Sequence, residues 1–264
     1  MTDIRDSLQL TLGATCRVNR EIGGDGPSKK TARIFLVHDV SVGLDLVVTV
    51  LSPVVAKGLD RRRFMREIRA LARVQHPHIV PVLSTGLVLQ LPYYTRPYVP
   101  GDSARARLDS SGPFGVREAI AVLRDVARAL EFAHAQGVVH GNLSPEHIIL
   151  SATGGVVTEL GVARALAVSR GEDLAVDTAA DLCAFGATAY ELLTERVPAT
   201  GSAAPIASKG KEIPATLARL IMQCLESDPQ RRPTAGELVF RLDAIAGAYD
   251  AAARPRRSRS AAKR

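Results

Sequence analysis

Four short runs hold most of the side chains with which this chain could do chemistry. They are Glu21-Ile22-Gly23-Gly24-Asp25-Gly26, His76-Pro77-His78-Ile79-Val80, His140-Gly141-Asn142-Leu143-Ser144-Pro145-Glu146-His147 and Glu159-Leu160-Gly161. Successive glycines let backbone N–H groups converge on a phosphate, while carboxylates, amides and imidazoles bind cations or move protons. Each run alone is weak, the glycine turn above all, and HPHIV or an HxN turn also suits loops of an unrelated two-domain protein. Cys16, Cys183 and Cys224 are isolated and odd in number, without a CxxC pair or a histidine at ligand spacing. That pattern argues against a disulfide framework and a zinc site and leaves buried free thiols. The formal charge of +7 is concentrated at one end: Arg254, Arg256, Arg257, Arg259, Lys263 and Arg264 supply six charges, leaving about +1 for the rest.

Elements must position these runs. With 264 residues, 46% of them hydrophobic, the chain can bury one large core or two small ones. Ile34 to Val37 and Leu46 to Leu51 read as β-branched and aliphatic strands joined by a polar turn around Ser41 and Gly43, a hairpin. From Arg61 the spacing of Phe64, Ile68, Leu71 and Val74 predicts a helix that ends before His76-Pro77. Apolar runs at Ile79 to Leu83, Leu87 to Leu91 and Tyr93 to Val99, separated by Gly86 and Pro92, imply more strands. Beyond Gly101 the pattern is helical, clearest from Val116 to Gln136 and closed by Gly137. Ala179 to Thr194, Pro214 to Glu226 and Thr234 to Ala246 are further helices. Met1 to Leu10 lacks a continuous apolar run, so neither a signal peptide nor a lipidation motif is visible. No later stretch approaches the roughly 20 apolar residues of a membrane-spanning helix, and the expected location is the cytoplasm. After Tyr249, Ala, Arg, Ser and Pro dominate, a composition that buries too little apolar surface to offset ordering.

Further landmarks stand in order with these runs: Arg66-Glu67-Ile68, Val138-Val139 before His140, Asp181-Leu182-Cys183-Ala184-Phe185-Gly186 with Tyr190-Glu191-Leu192-Leu193, and Asp228-Pro229 with Arg232-Pro233. The ordered set resembles the bacterial serine/threonine protein kinase family from about Leu12 to Ala248. The resemblance implies an α+β, protein-kinase-like bilobal fold. A small β-rich N-lobe with one main helix (about 12–99) would precede a larger helical C-lobe (about 100–248). Residues 1–11 become an N-terminal extension and 249–264 a basic disordered tail. Nucleotide, where bound, would sit between the lobes.

That family moves a phosphoryl group by positioning and charge neutralisation, and the resemblance puts each role on a residue here. Thr49 falls at the VAxK lysine and cannot supply its charge, while Val47 replaces the small alanine against the adenine ring. His140 and Pro145 keep the scaffold of the catalytic loop. Asn142 stands at the proton-accepting aspartate, Ser144 at the lysine after it and His147 at the metal-binding asparagine. Glu159-Leu160-Gly161 falls on the DFG triplet, which leaves Glu159 as a carboxylate able to hold a cation weakly. Gly23, Gly24 and Gly26 open the phosphate loop, but Pro27 to Lys30 follow where a third glycine and a covering strand belong. With Val47, Arg96, Tyr98 and Val99 they form a degenerate cleft. Val162 to Ala180 lacks an Ala-Pro-Glu motif, so the platform for a protein substrate is missing and Arg232 must find an acceptor other than that motif's glutamate. Asp181 is expected to hydrogen-bond the backbone at His140 to Asn142. Leu71, Val82, His140 and Leu160 fall at four stacked core positions that link the lobes.

Arg96 aligns with the gatekeeper behind the adenine pocket, where an arginine needs a carboxylate. Glu67 and Glu159 are the available partners, and pairing with either or both would hold the helix of residues 61 to 75 inward. A register one residue off turns Arg96 to solvent instead. The implied function is a catalytically inactive kinase-like domain, a pseudokinase, that binds a protein partner such as an active kinase and acts as a scaffold or allosteric module. No cofactor is expected, ATP with magnesium or manganese being the exception. One rival is an atypical kinase of low turnover using Glu159 for metal and His147 or Glu146 in new roles. The other is binding of nucleic acid or an anionic membrane through Arg254 to Arg264.

Overall fold

The computed structural model describes residues 3–22, 31–172, 177–198, 204, 206 and 213–253. The strand-rich first hundred residues form a five-stranded antiparallel sheet: β1 (Cys16–Ile22), β2 (Ala32–Asp39), β3 (Leu44–Leu51), β4 (Ser84–Val88) and β5 (Leu91–Pro97), in the order β1-β2-β3-β5-β4. The run of apolar residues in β3 follows from burial on both faces. Val48 and Val50 pack with Phe35 and Val37 beneath Leu8 of α1 (Ile4–Leu12). Leu51 packs on the other side with Phe64 and Ile68 of α3 (Arg61–Leu71), which follows the single turn of α2 (Pro53–Ala56).

α1 lies in the stretch expected as an extension. Leu8 is fully buried, and the Gln9 side chain donates to Cys16 O (2.7 Å) and accepts from Val18 N (2.8 Å), so the helix is part of the N-lobe. Ile79 to Leu83 is not the expected strand. It is extended chain in which Ile79 makes isolated bridges to His76 and to Val157, because Pro77 and Pro81 cannot donate to a ladder. Leu87 to Leu91 turns the β4–β5 hairpin, with Leu89 and Gln90 at φ 47° and 63°.

In the C-lobe, β6 (Asp102–Ser103), β7 (Ile148–Ser151) and β8 (Gly154–Val157) form a small sheet beside α4 (Ala104–Ser111) and α5 (Val116–Ala135). The β7–β8 hairpin escaped the sequence reading, as did α6 (Val162–Ser169). α7 (Thr178–Thr194), α8 (Ala215–Cys224) and α9 (Ala235–Ala253) complete the lobe. Leu123, Val126 and Leu130 of α5 share a core with Phe185, Leu192, Leu217 and Leu238. α9 continues through residues 249–253, so that part of the expected tail is helical. Arg254 to Arg264 lie outside the described residues, as do Gly23, Gly24, Gly26 and Pro27 to Lys30. Among the described residues no helix is long and apolar enough to cross a membrane.

The His76 to Val80 run joins the two lobes. Val157 N donates to His78 O (2.9 Å) and Val80 N to Val157 O (2.8 Å), while His78 Nε2 lies 3.4 Å from Asp125.

Candidate functional site

The loop from Val138 to His147 is held from below by α7. Asp181, 1% exposed, accepts from His140 N (2.7 Å) and Gly141 N (2.8 Å), and His134 Nε2 lies 2.9 Å from it. His140 is fully buried; its Nδ1 accepts from Asn142 N (3.2 Å), which leaves the proton on Nε2 to be donated to Thr158 O (3.0 Å). Burial, with His147 adding to the effect, lowers its pKa to about 4, so the ring is neutral at pH 7. The loop is therefore a built scaffold. The His147 side chain nevertheless turns back onto the loop: its Nδ1 lies 2.8 Å from the Asn142 main-chain O and 3.1 Å from Ser144 Oγ.

β3 and β5 supply the opposite wall. Their register sets Val47 against Arg96 and Thr49 against Tyr94, so these four side chains share the face toward the C-lobe. Glu159, at φ 61°, carries its carboxylate up to that wall, where Arg96 Nη2 lies 3.2 Å from Oε1 and the Tyr94 hydroxyl donates to Oε2. Both charged side chains are nearly buried, at 15% and 16% exposure. Burial and the neighbouring Glu159 carboxylate push the Tyr94 phenol well above its ordinary pKa, so it stays a proton donor. Thr49 is buried beside Tyr94 at 3% exposure, its hydroxyl without a well-formed hydrogen bond among the described residues.

Arg96 is thus paired with Glu159 and not with Glu67, whose side chain makes no ion pair or hydrogen bond among the described residues. The helix that carries Glu67 is braced instead by α6. Val162 and Ala165 join Phe64, Ile68, Val82 and Tyr94 in one cluster, and Asp60 N donates to Ser169 O (2.9 Å). Gly161, at φ 75°, makes this close approach possible, since a Cβ there would lie 2.6 Å from Leu71 Cδ2. Leu71 packs against both the cluster holding Val82 and the core holding Leu160. Arg232 donates to main-chain carbonyls, Ala179 O at 2.8 Å and Glu226 O at 2.9 Å, in place of a carboxylate.

A cavity of about 460 Å³ between the lobes is lined by Thr49, Tyr94, Arg96, Asn142, Glu146, His147 and Glu159, with Ile34, Val162 and Arg170. Of the expected cleft positions at Val47, Arg96, Tyr98 and Val99, it takes in Arg96. Tyr98 and Val99 line a separate pocket of about 360 Å³ with Pro77, Val80 and Pro81. Among the described residues no group of three or more His, Cys, Asp or Glu is arranged to hold a metal ion. Tyr94 was missed by the sequence reading; its place two residues before Arg96, on the same strand face, is the signal that could have found it.

Residues 24–179, more than half of the chain, match the profile of the protein kinase domain. The chain is 29% identical to the serine/threonine-protein kinase PknB of Mycobacterium tuberculosis (strain ATCC 25618 / H37Rv), over 78% of this chain and 40% of that protein. It is 31% identical to the probable serine/threonine-protein kinase pknA2 of Bifidobacterium longum, over 69% of this chain and 27% of that protein. The chain therefore spans less than half the length of these curated relatives. The crystal structure of Rad53 1–466 in complex with AMP-PNP superimposes with a TM-score of 0.67 at 19% identity, covering 85% of this chain and 64% of that one, a likeness of fold.

Proposed function

This chain belongs to the protein kinase domain family, and from that premise we propose that it keeps the fold without phosphoryl transfer and acts by binding a protein partner in the cytoplasm. The observation that carries this reading is the engagement of Glu159. The carboxylate in the place of the family's metal-binding aspartate is neutralised by Arg96 and Tyr94. A carboxylate satisfied in this way offers a divalent cation little, since the cation would have to displace an ion pair that is almost out of water.

The remaining positions support the same reading. Magnesium does not fit the donors present: His147 is turned onto the Asn142 carbonyl, and Asn142 has no basic atom with which to accept a hydroxyl proton. Among the described residues the cleft also offers little to the phosphates of a nucleotide, because the lysine position is a buried threonine, Arg96 is committed to Glu159 and Arg170 donates to Val55 O (3.1 Å). What remains intact is what holds shape: the Asp181 hydrogen bonds, the buried His140 and the core around Leu160. The names of the relatives favour a second reading, an active serine/threonine kinase.

A thermal-shift titration with ATP, with and without magnesium or manganese, tests the two. The proposal expects no rise in melting temperature at millimolar nucleotide, since a ligand of the folded state must stabilise it. A metal-dependent rise that Glu159→Gln abolishes would overturn it and favour the active kinase.

A further inference from the structure

Net charge averaged along the chain hides one concentration of it. Between Lys57 and Arg73 stand seven cations against two carboxylates, Asp60 and Glu67. Arg62, Arg66 and Arg69 follow one another at helical spacing along α3, and Arg73 continues the row just beyond Leu71. At 1.5 Å per residue the row is about 16 Å long. All four side chains are exposed, and among the described residues none makes an ion pair or a side-chain hydrogen bond. Phe64 and Ile68 fix the other face of the helix in the core, so the row is presented on a rigid support.

This arrangement works against the helix that carries it. Arg62 with Arg66, and Arg69 with Arg73, are like charges four residues apart and repel. Arg61, Arg62 and Arg63 crowd the positive end of the helix dipole, where the single carboxylate of the N-cap Asp60 accepts from Arg63 N (3.0 Å) and faces three cations. An anion laid along the row removes the repulsion within it and adds negative charge near the helix N-terminus.

We propose that Arg62, Arg66, Arg69 and Arg73 form a docking site for an Asp/Glu-rich segment of a partner protein. A single row of about 16 Å matches roughly five residues of extended chain. A nucleic-acid duplex would lay two strands across a wider basic face, and a membrane would need apolar side chains among the cations to insert. No large apolar side chain from residue 61 to 73 is exposed. Every cation in that stretch is an arginine, whose planar fork takes a carboxylate through two hydrogen bonds. The site is independent of the cleft and stands whether or not the domain transfers phosphate.

Fluorescence anisotropy of a labelled octa-glutamate peptide tests it, with labelled octa-thymidylate and phosphatidylserine vesicles as competing probes. The 264-residue chain is compared with a row variant (Arg62→Ala, Arg66→Ala, Arg69→Ala, Arg73→Ala) and a variant with alanine at the six tail cations. The row variant is expected to bind octa-glutamate at least about tenfold more weakly, as four exposed charge pairs permit, while the tail variant binds as the wild type does. Arg66→Glu serves as the second variant if the row variant melts early. Equal binding by row variant and wild type overturns the proposal. So does tighter row-dependent binding of octa-thymidylate or of vesicles than of octa-glutamate.

Discussion

Replacing Arg96 by methionine removes one partner of a nearly buried ion pair and leaves the Glu159 carboxylate with the Tyr94 hydroxyl as its remaining side-chain donor. At an N–O distance of 3.2 Å the gross attraction is about 5 kcal/mol for an effective dielectric constant near 20, most of it offset by desolvation. Breaking a fully buried pair costs about 3–5 kcal/mol. The one-sixth exposure of these side chains and the remaining Tyr94 bond bring the expected cost here to about 2–3 kcal/mol, or roughly 5–10 °C in melting temperature. Removing both charges in Arg96→Met/Glu159→Gln leaves no orphan. The double variant should therefore be more stable than the sum of the single changes predicts, by about 1 kcal/mol or more. Urea unfolding of the four proteins measures this cycle, with Glu67→Gln as the control that should change little. Additivity within about 0.5 kcal/mol, or an equal coupling of Arg96 to Glu67, would refute the reasoning.

Gly161→Ala forces a Cβ to within 2.6 Å of Leu71 Cδ2 at a φ of 75°. It should cost about 1–3 kcal/mol by separating α6 from α3, and an unchanged urea midpoint would count against the packing described. His140 titrates near 4 in the folded chain and near 6.5 when unfolded, so the unfolded state binds more protons between those values. Its contribution is fully present above pH 6.5 and is lost as pH falls toward 4, by at most about 3 kcal/mol. The stability of His140→Gln, lower at pH 7, should fall less steeply over that window. Parallel curves for the two proteins would remove the assignment.

Much of the molecule follows from local rules that one sequence carries. The α5 helix is written in the spacing of Ile120, Leu123, Val126 and Leu130 and ends where Gly137 adopts a φ of 69°. The loop at His140 and its anchor Asp181 were recognisable because scaffold roles need particular residue types at particular places in the order of the chain. The basic row on α3 was visible residue by residue, yet a whole-chain charge count concealed it. α1 and α6, of nine and eight residues, offer too few turns for periodicity to separate them from loops.

The amino-acid sequence by itself carried the expectation that Thr49, Asn142, Ser144, His147 and Glu159 stand where the family keeps other residues, because that reading needs only the order of residues along the chain. For Arg96 it left two places, solvent or an interior position that requires a carboxylate. Which carboxylate answers was decided in three dimensions. Glu67 and Glu159 are equally available along the chain, but the φ of 61° at Glu159 and the register of β5 on β3 bring Arg96, Tyr94 and Glu159 together. α6 meanwhile occupies the space against α3. Pairing of charges depends on distance and burial, and both are properties of the packed chain.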